Sequence, residues 1–138
     1  METYSDIMQI QKYPTNKAKE YSIPKDKKLL NEIKFTLKDL PYNCLAISAP
    51  VLGIPLRIIV MKESYEYKFY INPKVLKKEG EQIFEEGCLC IPDKWKKVKR
   101  PRIILVEYSN QNGKRLTKQL FGQSAAIFMH QFDHLEGK

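Results

Sequence analysis

The stretch SAAIFMHQFDHLEG, residues 124–137, carries a helical period: Ala125, Phe128, Phe132 and Leu135 recur three or four apart and so share one side. Gly137 supplies a stop signal. A helix is therefore expected after Gly122, with both histidines of the chain, His130 and His134, one turn apart on one face. Working back from it, Leu116 to Phe121 and Ile103 to Tyr108 flank Asn112-Gly113, a strong hairpin signal. Leu56 to Met61 (LRIIVM) and Lys68 to Ile71 (KFYI) are short β-rich runs bounded by Pro55 and by Asn72-Pro73. From Lys25 the period is again helical, with Leu30, Ile33, Leu37 and Leu40 in one stripe that Pro41 stops. Residues 1 to 24 mix apolar and basic residues around Pro14 and Pro24 and read as an extended arm laid over the domain. Helix, strands, then helix, without a repeated βαβ alternation, predicts an α+β fold of mostly antiparallel sheet.

The chain has 138 residues, 43% of them hydrophobic, the size and apolar content of a single domain spanning residues 1–138. Its 24 Lys and Arg against 16 Asp and Glu leave a net charge of +8, which permits anionic partners. Eight Tyr, six Phe and one Trp make it too apolar for a disordered basic tail. No run approaches the roughly 18 apolar residues of a membrane span, and METYSDIMQI lacks a basic stretch followed by an apolar one. A soluble, cytoplasmic protein is the expectation. Three cysteines cannot all pair within one chain, and Cys88 and Cys90 are two apart, so a metal ligand or free thiols are favoured over a disulfide framework.

His130 and His134 can share one metal ion, yet two histidines in an amphipathic helix also land four apart by accident, packed or exposed. A third ligand separates these readings. Cys88 in EEGCLC is the candidate: a thiolate with two imidazoles suits zinc or iron(II) and leaves a fourth position open for catalysis.

With those residues in place the chain resembles the peptide deformylases, metallohydrolases that remove formyl from the N-terminal methionine of new polypeptides. AISAPVLGIPLRI (46–58) is similar to the family's glycine-rich first motif, EEGCLC (85–90) to its second and HQFDHLEG (130–137) to its third. INP (71–73) and VKRP (98–101) also fit. The resemblance implies antiparallel strands wrapped around the C-terminal helix. It implies one divalent ion on Cys88, His130 and His134, Fe2+ in the cell and often Ni2+, Co2+ or Zn2+ in preparations. It also implies an N-formyl-methionyl peptide substrate, an oxyanion donor at the Leu89 backbone N–H, and substrate contacts at Leu45, Ala46, Gly87, Trp95, Ala126 and Ile127.

Two departures bear on the chemistry. The family's residue after the first histidine is a glutamate that takes a proton from the attacking water and delivers it to the leaving amine; here it is Gln131, and a carboxamide cannot. A general acid–base contribution of roughly 10²–10⁴-fold is expected to go with it. Val51 stands where the family's glutamine donates to the developing oxyanion, and removing one such donor typically costs about 2.7–4 kcal/mol. Cys44 and Ala46 also replace the first motif's usual glycines. Gln131 alone would fit an engineered trap; the first-motif changes favour natural divergence, as in short deformylase-like proteins with a degenerate first motif. Turnover is thus expected to be weak or lost. The alternative is a silent metal-containing homologue that binds formylated N-termini, or a basic ribosome-associated module.

The run KWKKVKRPR (94–102) holds six basic residues and can grip phosphates, ribosomal RNA being the natural target. The alternation of Lys97, Val98 and Lys99 fits a strand with one wet face equally well, and that reading is preferred. Trp95 takes the place of a family arginine near the substrate's side-chain pocket, as a wall or as core. Cys90 shares a strand face with Cys88 without proving ligation, and it is kept out of the ligand set.

Overall fold

A computed structural model describes residues 17–21, 28–40, 45–88 and 91–138, with side chains throughout except at 85–88 and 91–96. Helix α1 (Lys28–Asp39) leads into strand β1 (Ala46–Ser48), a 3-10 turn over Ala49–Leu52, and β2 (Ile58–Glu63). Then come β3 (Glu66–Glu79), β4 (Gln82–Cys88), β5 (Ile91–Arg100), β6 (Ile103–Ser109), β7 (Arg115–Phe121) and helix α2 (Gly122–Leu135). The class is α+β as expected. One sheet has the order β1-β2-β3-β6-β7, all antiparallel, and β4 pairs with β5 in a separate ribbon. Helix α2 lies against β1, β2, β6 and β7 of the sheet and against both strands of the ribbon. Strands therefore wrap the C-terminal helix.

The apolar pattern explains why two helices cover one sheet. In β2, Ile59 and Met61 join the core under α2, whereas Ile58 and Val60 join the core under α1 with Leu30, Ile33 and Leu37. All four of these β2 residues are buried, which is why IIVM (58–61) is a continuous apolar run rather than an alternating one. Strand β6 does alternate: Ile104, Val106 and Tyr108 point inward and their neighbours are only partly covered. Phe128 is the centre of the α2 side, fully buried with its ring 5.5 Å edge-on to Tyr70 and 6.0 Å from Phe132. Phe128→Ala should cost about 3–5 kcal/mol, read as a shift in chemical-denaturation midpoint, because a cavity would open beside a well-packed ring.

Several boundaries differ from the sequence expectation. The hairpin at Asn112-Gly113 forms, with Gly113 at φ 85° and the Asn110 Oδ1 accepting from the Asn112 and Lys114 N–H groups at 2.9 and 3.0 Å. Strand β3, however, runs through Asn72-Pro73 instead of ending there. The ladder to β6 shifts register between Ile71 and Lys74, with Asn72 at φ 49°, so Pro73 sits where no ladder hydrogen bond is asked of it. Helix α1 ends at Asp39 and leaves Leu40 only partly buried, so the apolar stripe is one residue shorter. Of the expected arm, residues 17–21 are described: Ala18 is buried, and Lys19 forms a parallel bridge with Leu56. The remainder, with Pro14, Pro24 and also Pro41, lies outside the described residues.

Candidate metal centre

Helix α2 sets the geometry of the two histidines because both of its ends are held. Its start is tied by the Gly122 N–H to the Arg102 carbonyl at 2.8 Å, and the Gln82 Nε2 donates to the Pro101 and Gly122 carbonyls at 2.8 Å each. At its end the Gly137 N–H reaches the His134 carbonyl at 3.2 Å and the Lys138 N–H reaches the Asp133 carbonyl at 2.9 Å, with Gly137 at φ 79°. That is a Schellman cap, so the HLEGK ending encodes its own stop one turn past the second histidine.

Between these ends the His130 and His134 rings stand at 89° to each other, with centroids 4.8 Å apart and Nε2 atoms 3.2 Å apart. An ion about 2.0–2.1 Å from each nitrogen, at a tetrahedral angle, needs them roughly 3.3–3.4 Å apart. The observed spacing fits one ion. His134 is 3% exposed, and its pKa is lowered to about 4, first by burial and then by the neighbouring His130. A ring that stays neutral at physiological pH is the form a metal ion needs, so protons compete weakly for it.

The same shift makes a pH prediction for metal-free protein. Unfolded, His134 takes up a proton near pH 6.5, while folded it does so only near pH 4. The unfolded state binds more protons in between, so stability should fall as pH drops from about 6.5 to about 4. Denaturation midpoints across that range should show this, and His134→Gln should flatten the slope.

Gln131 is 6% exposed, and its Oε1 has no hydrogen-bond partner among the described residues. A buried carbonyl oxygen left unpaired costs about 1–3 kcal/mol, so a donor from a bound water or ligand would be favoured at this position. Ser48 was not singled out from the sequence, yet it is fully buried and its Oγ also lacks a partner among the described residues. It pairs in register with Ile59, whose side chain belongs to the α2-facing core, so both unpaired groups belong to the β1–α2 side of the sheet. A hydroxyl inside the apolar run AISAPVL was the available signal.

The other expected site residues fall as follows. Val51 is 1% exposed in the 3-10 turn against α2. Ala46 is buried in β1, with Leu45 half-buried beside it. Ala126 is fully covered, and Ile127 nearly so. Gly87 and Cys88 end β4, where Cys88 pairs with Ile91, so the topology brings the end of this strand to the ribbon that α2 packs on. The Cys88 thiol, the Trp95 side chain, and all of Leu89, Cys90 and Cys44 lie outside the described residues. Among the described residues no group of three or more ligating side chains forms, the two imidazoles being what they contribute.

Among the described residues an ion pair joins the ribbon to α2: the Arg100 Nη1 lies 2.6 Å from the Asp133 Oδ2, with both side chains largely covered. Partial burial gives this pair more effect than an exposed one and fixes β5 against the residue preceding His134.

Comparison with known proteins agrees with this layout. A polypeptide deformylase family model matches residues 5–138. Peptide deformylase 2 of Clostridium acetobutylicum is 40% identical over 113 residues, covering 82% of this chain and 75% of that protein. Further curated deformylases are spanned over only 54% to 66% of their length. The solved peptide deformylase of Legionella pneumophila superposes with a TM-score of 0.86 at 28% identity, covering 96% of this chain and 82% of that one. That of Synechococcus elongatus, in complex with actinonin, also gives 0.86, at 26% identity and 99% and 78% coverage. With the paired imidazoles on the closing helix and a family match over nearly its whole length, the chain belongs to the polypeptide deformylase family.

Proposed function

We propose that the chain is a deformylase-type metallohydrolase acting on N-formyl-methionyl peptides in the cytoplasm, with turnover reduced by Gln131 and Val51. The 3.2 Å approach of the His130 and His134 Nε2 atoms supports this reading, because it is close to the roughly 3.3–3.4 Å that one shared ion requires. Cys88 would complete the ligand set from the end of β4, and Fe2+, Zn2+, Ni2+ or Co2+ all suit two imidazoles and a thiolate. When bound, the ion supplies Lewis-acid polarisation of the formyl carbonyl and of the attacking water.

The chain's own residues do the rest. The backbone along Leu45 and Ala46 and at Gly87 would hold the peptide extended, with Ala126, Ile127 and Trp95 bounding its first side chain. The Leu89 N–H would donate to the developing oxyanion, unassisted by Val51, which has no donor. Gln131 can orient the water through its Oε1 but cannot take its proton, so the shuttle that a carboxylate provides is missing.

The basic run of β5 argues little for an RNA-binding module. The ribbon's register sets Lys96 opposite Glu86 and Lys97 opposite Glu85, which makes its charge mixed rather than uniformly positive. Formate release from a formyl-methionyl peptide by metal-loaded protein, with an acetyl-methionyl peptide as control, tests the proposal. Slow release that a chelator abolishes is expected, together with saturable competition by actinonin. Absence of both formate release and peptide binding at full metal loading would sink it.

A further inference from the structure

The face of α2 opposite the histidines is gripped by a buried cation, Arg57. Residues two apart on a helix lie about 200° apart, so Phe132 and Glu136 point away from His130 and His134. Arg57, just before β2, reaches this back face with its side chain 10% exposed. Its Nη1 donates to the Leu135 carbonyl at 3.2 Å and to the Glu136 Oε2 at 3.1 Å, with the Ala18 carbonyl at 3.4 Å. The guanidinium carbon lies 5.5 Å from the Phe132 ring centre, a cation–π contact that holds the fork in place.

The helix end shows what this achieves. The last four carbonyls of a helix lack intrahelical donors. Here Phe132 receives the Glu136 N–H, Asp133 the Lys138 N–H and His134 the Gly137 N–H, all from the cap itself. Among the described residues the Leu135 carbonyl alone is served from other parts of the fold, by the Ala18 N–H at 2.7 Å and by Arg57. A positive charge there also complements the helix dipole. Ala18 is in turn anchored through its neighbour, since the Lys19 N–H donates to Pro55 and the Lys19 carbonyl accepts from the Arg57 N–H, at 2.9 and 2.8 Å.

We propose that Arg57 is a positioning residue for the metal centre: by holding the Leu135 carbonyl from behind, it fixes the last turn of α2 and so the His134 ring relative to His130. This rests on reading the two histidines as ligands. Ligand distances tolerate only about 0.2 Å, so a last turn free to shift or unwind spoils the site even when the fold survives. A buried arginine that merely stabilised the fold would leave the ion affinity of folded protein unchanged.

The test uses the full chain and its variants Arg57→Met, Arg57→Lys and Val60→Ala, titrated with Zn2+ against a chelator and with Co2+ by visible absorption, below each melting temperature. Val60 packs in the α1-side core, on the face of β2 opposite Ile59 and Met61, so its truncation should cost stability there. Arg57→Met should weaken Zn2+ binding about 10–100-fold, the usual effect of losing an outer support of a metal ligand, and should alter the Co2+ bands. Arg57→Lys should recover part of both, because an ammonium can still donate to Leu135. Val60→Ala should lower the melting temperature and leave both unchanged. If Arg57→Met does not fold, Arg57→Lys carries the test with a severalfold loss. Arg57 variants that melt earlier yet bind Zn2+ as tightly as the parent, with the same Co2+ spectrum, overturn the proposal. A parent chain that takes up neither ion overturns the ligand reading as well, which separates the two failures.

Discussion

Gln131→Glu is expected to raise hydrolysis of a formyl-methionyl peptide by on the order of 10²-fold or more at equal metal loading. The position is ready for a carboxylate in every respect but charge. It follows His130 on α2, it is 6% exposed, and its side-chain oxygen has no partner among the described residues. Burial would push the new carboxyl's pKa upward, toward the range in which it can both take and return a proton near neutrality. Glutamate and glutamine are nearly isosteric, so the packing around Phe128 and Leu135 should not change. Adding Val51→Gln should bring a further gain through the oxyanion donor, typically about 2.7–4 kcal/mol, reduced by whatever it costs to place an amide at a site that is 1% exposed. Metal content should be the same in all three proteins, since neither position is among the proposed ligands, so a gain would report chemistry rather than occupancy. A parent protein already as fast as Gln131→Glu would mean that another group moves the proton and that Gln131 is not the deficiency.

The second large effect concerns the ion itself. Parent protein is expected to carry close to one equivalent of divalent metal, and His134→Ala or Cys88→Ala to carry almost none after dialysis, because two remaining ligands hold an ion poorly. His134 is the sharper probe. It is 3% exposed and neutral at pH 7, so its removal would delete the proposed ligand that faces little proton competition. The variant also leaves a cavity beside Leu135, and elemental analysis should therefore be read beside circular dichroism to show that α2 persists. Stoichiometric metal in a folded His134→Ala protein would end the ligand assignment. The same result in Cys88→Ala would move the third ligand elsewhere, Cys90 being the nearest thiol in sequence.

Local chemistry made much of the molecule legible from its residues alone. The apolar period of 124–137, the glycine that closes it and the fourfold spacing of the histidines are properties of one helix, and they hold wherever that helix packs. Asn112-Gly113 specified its hairpin for the same reason: the turn's left-handed backbone and the Asn110 acceptor are short-range. The three motifs in order were enough for the family, and the departures at Gln131 and Val51 needed no coordinates.

Non-local pairing decided the rest. Pro73 reads as a strand breaker until the register shift opposite β6 relieves it of any ladder bond. Arg57 lies inside the β-rich run LRIIVM, where nothing in the sequence singled it out. Only folding, which brings residues 78 positions apart within 3.2 Å, turns it into a clamp on the Leu135 carbonyl. The unpaired oxygens of Ser48 and Gln131 are likewise facts of burial, since either group would find water on an isolated strand or helix. The helix, its histidines and its closing cap are written in near neighbours; what ties its first turn and its Leu135 carbonyl comes from residues far away along the chain, and no periodicity can report a contact that the sheet must first bring together.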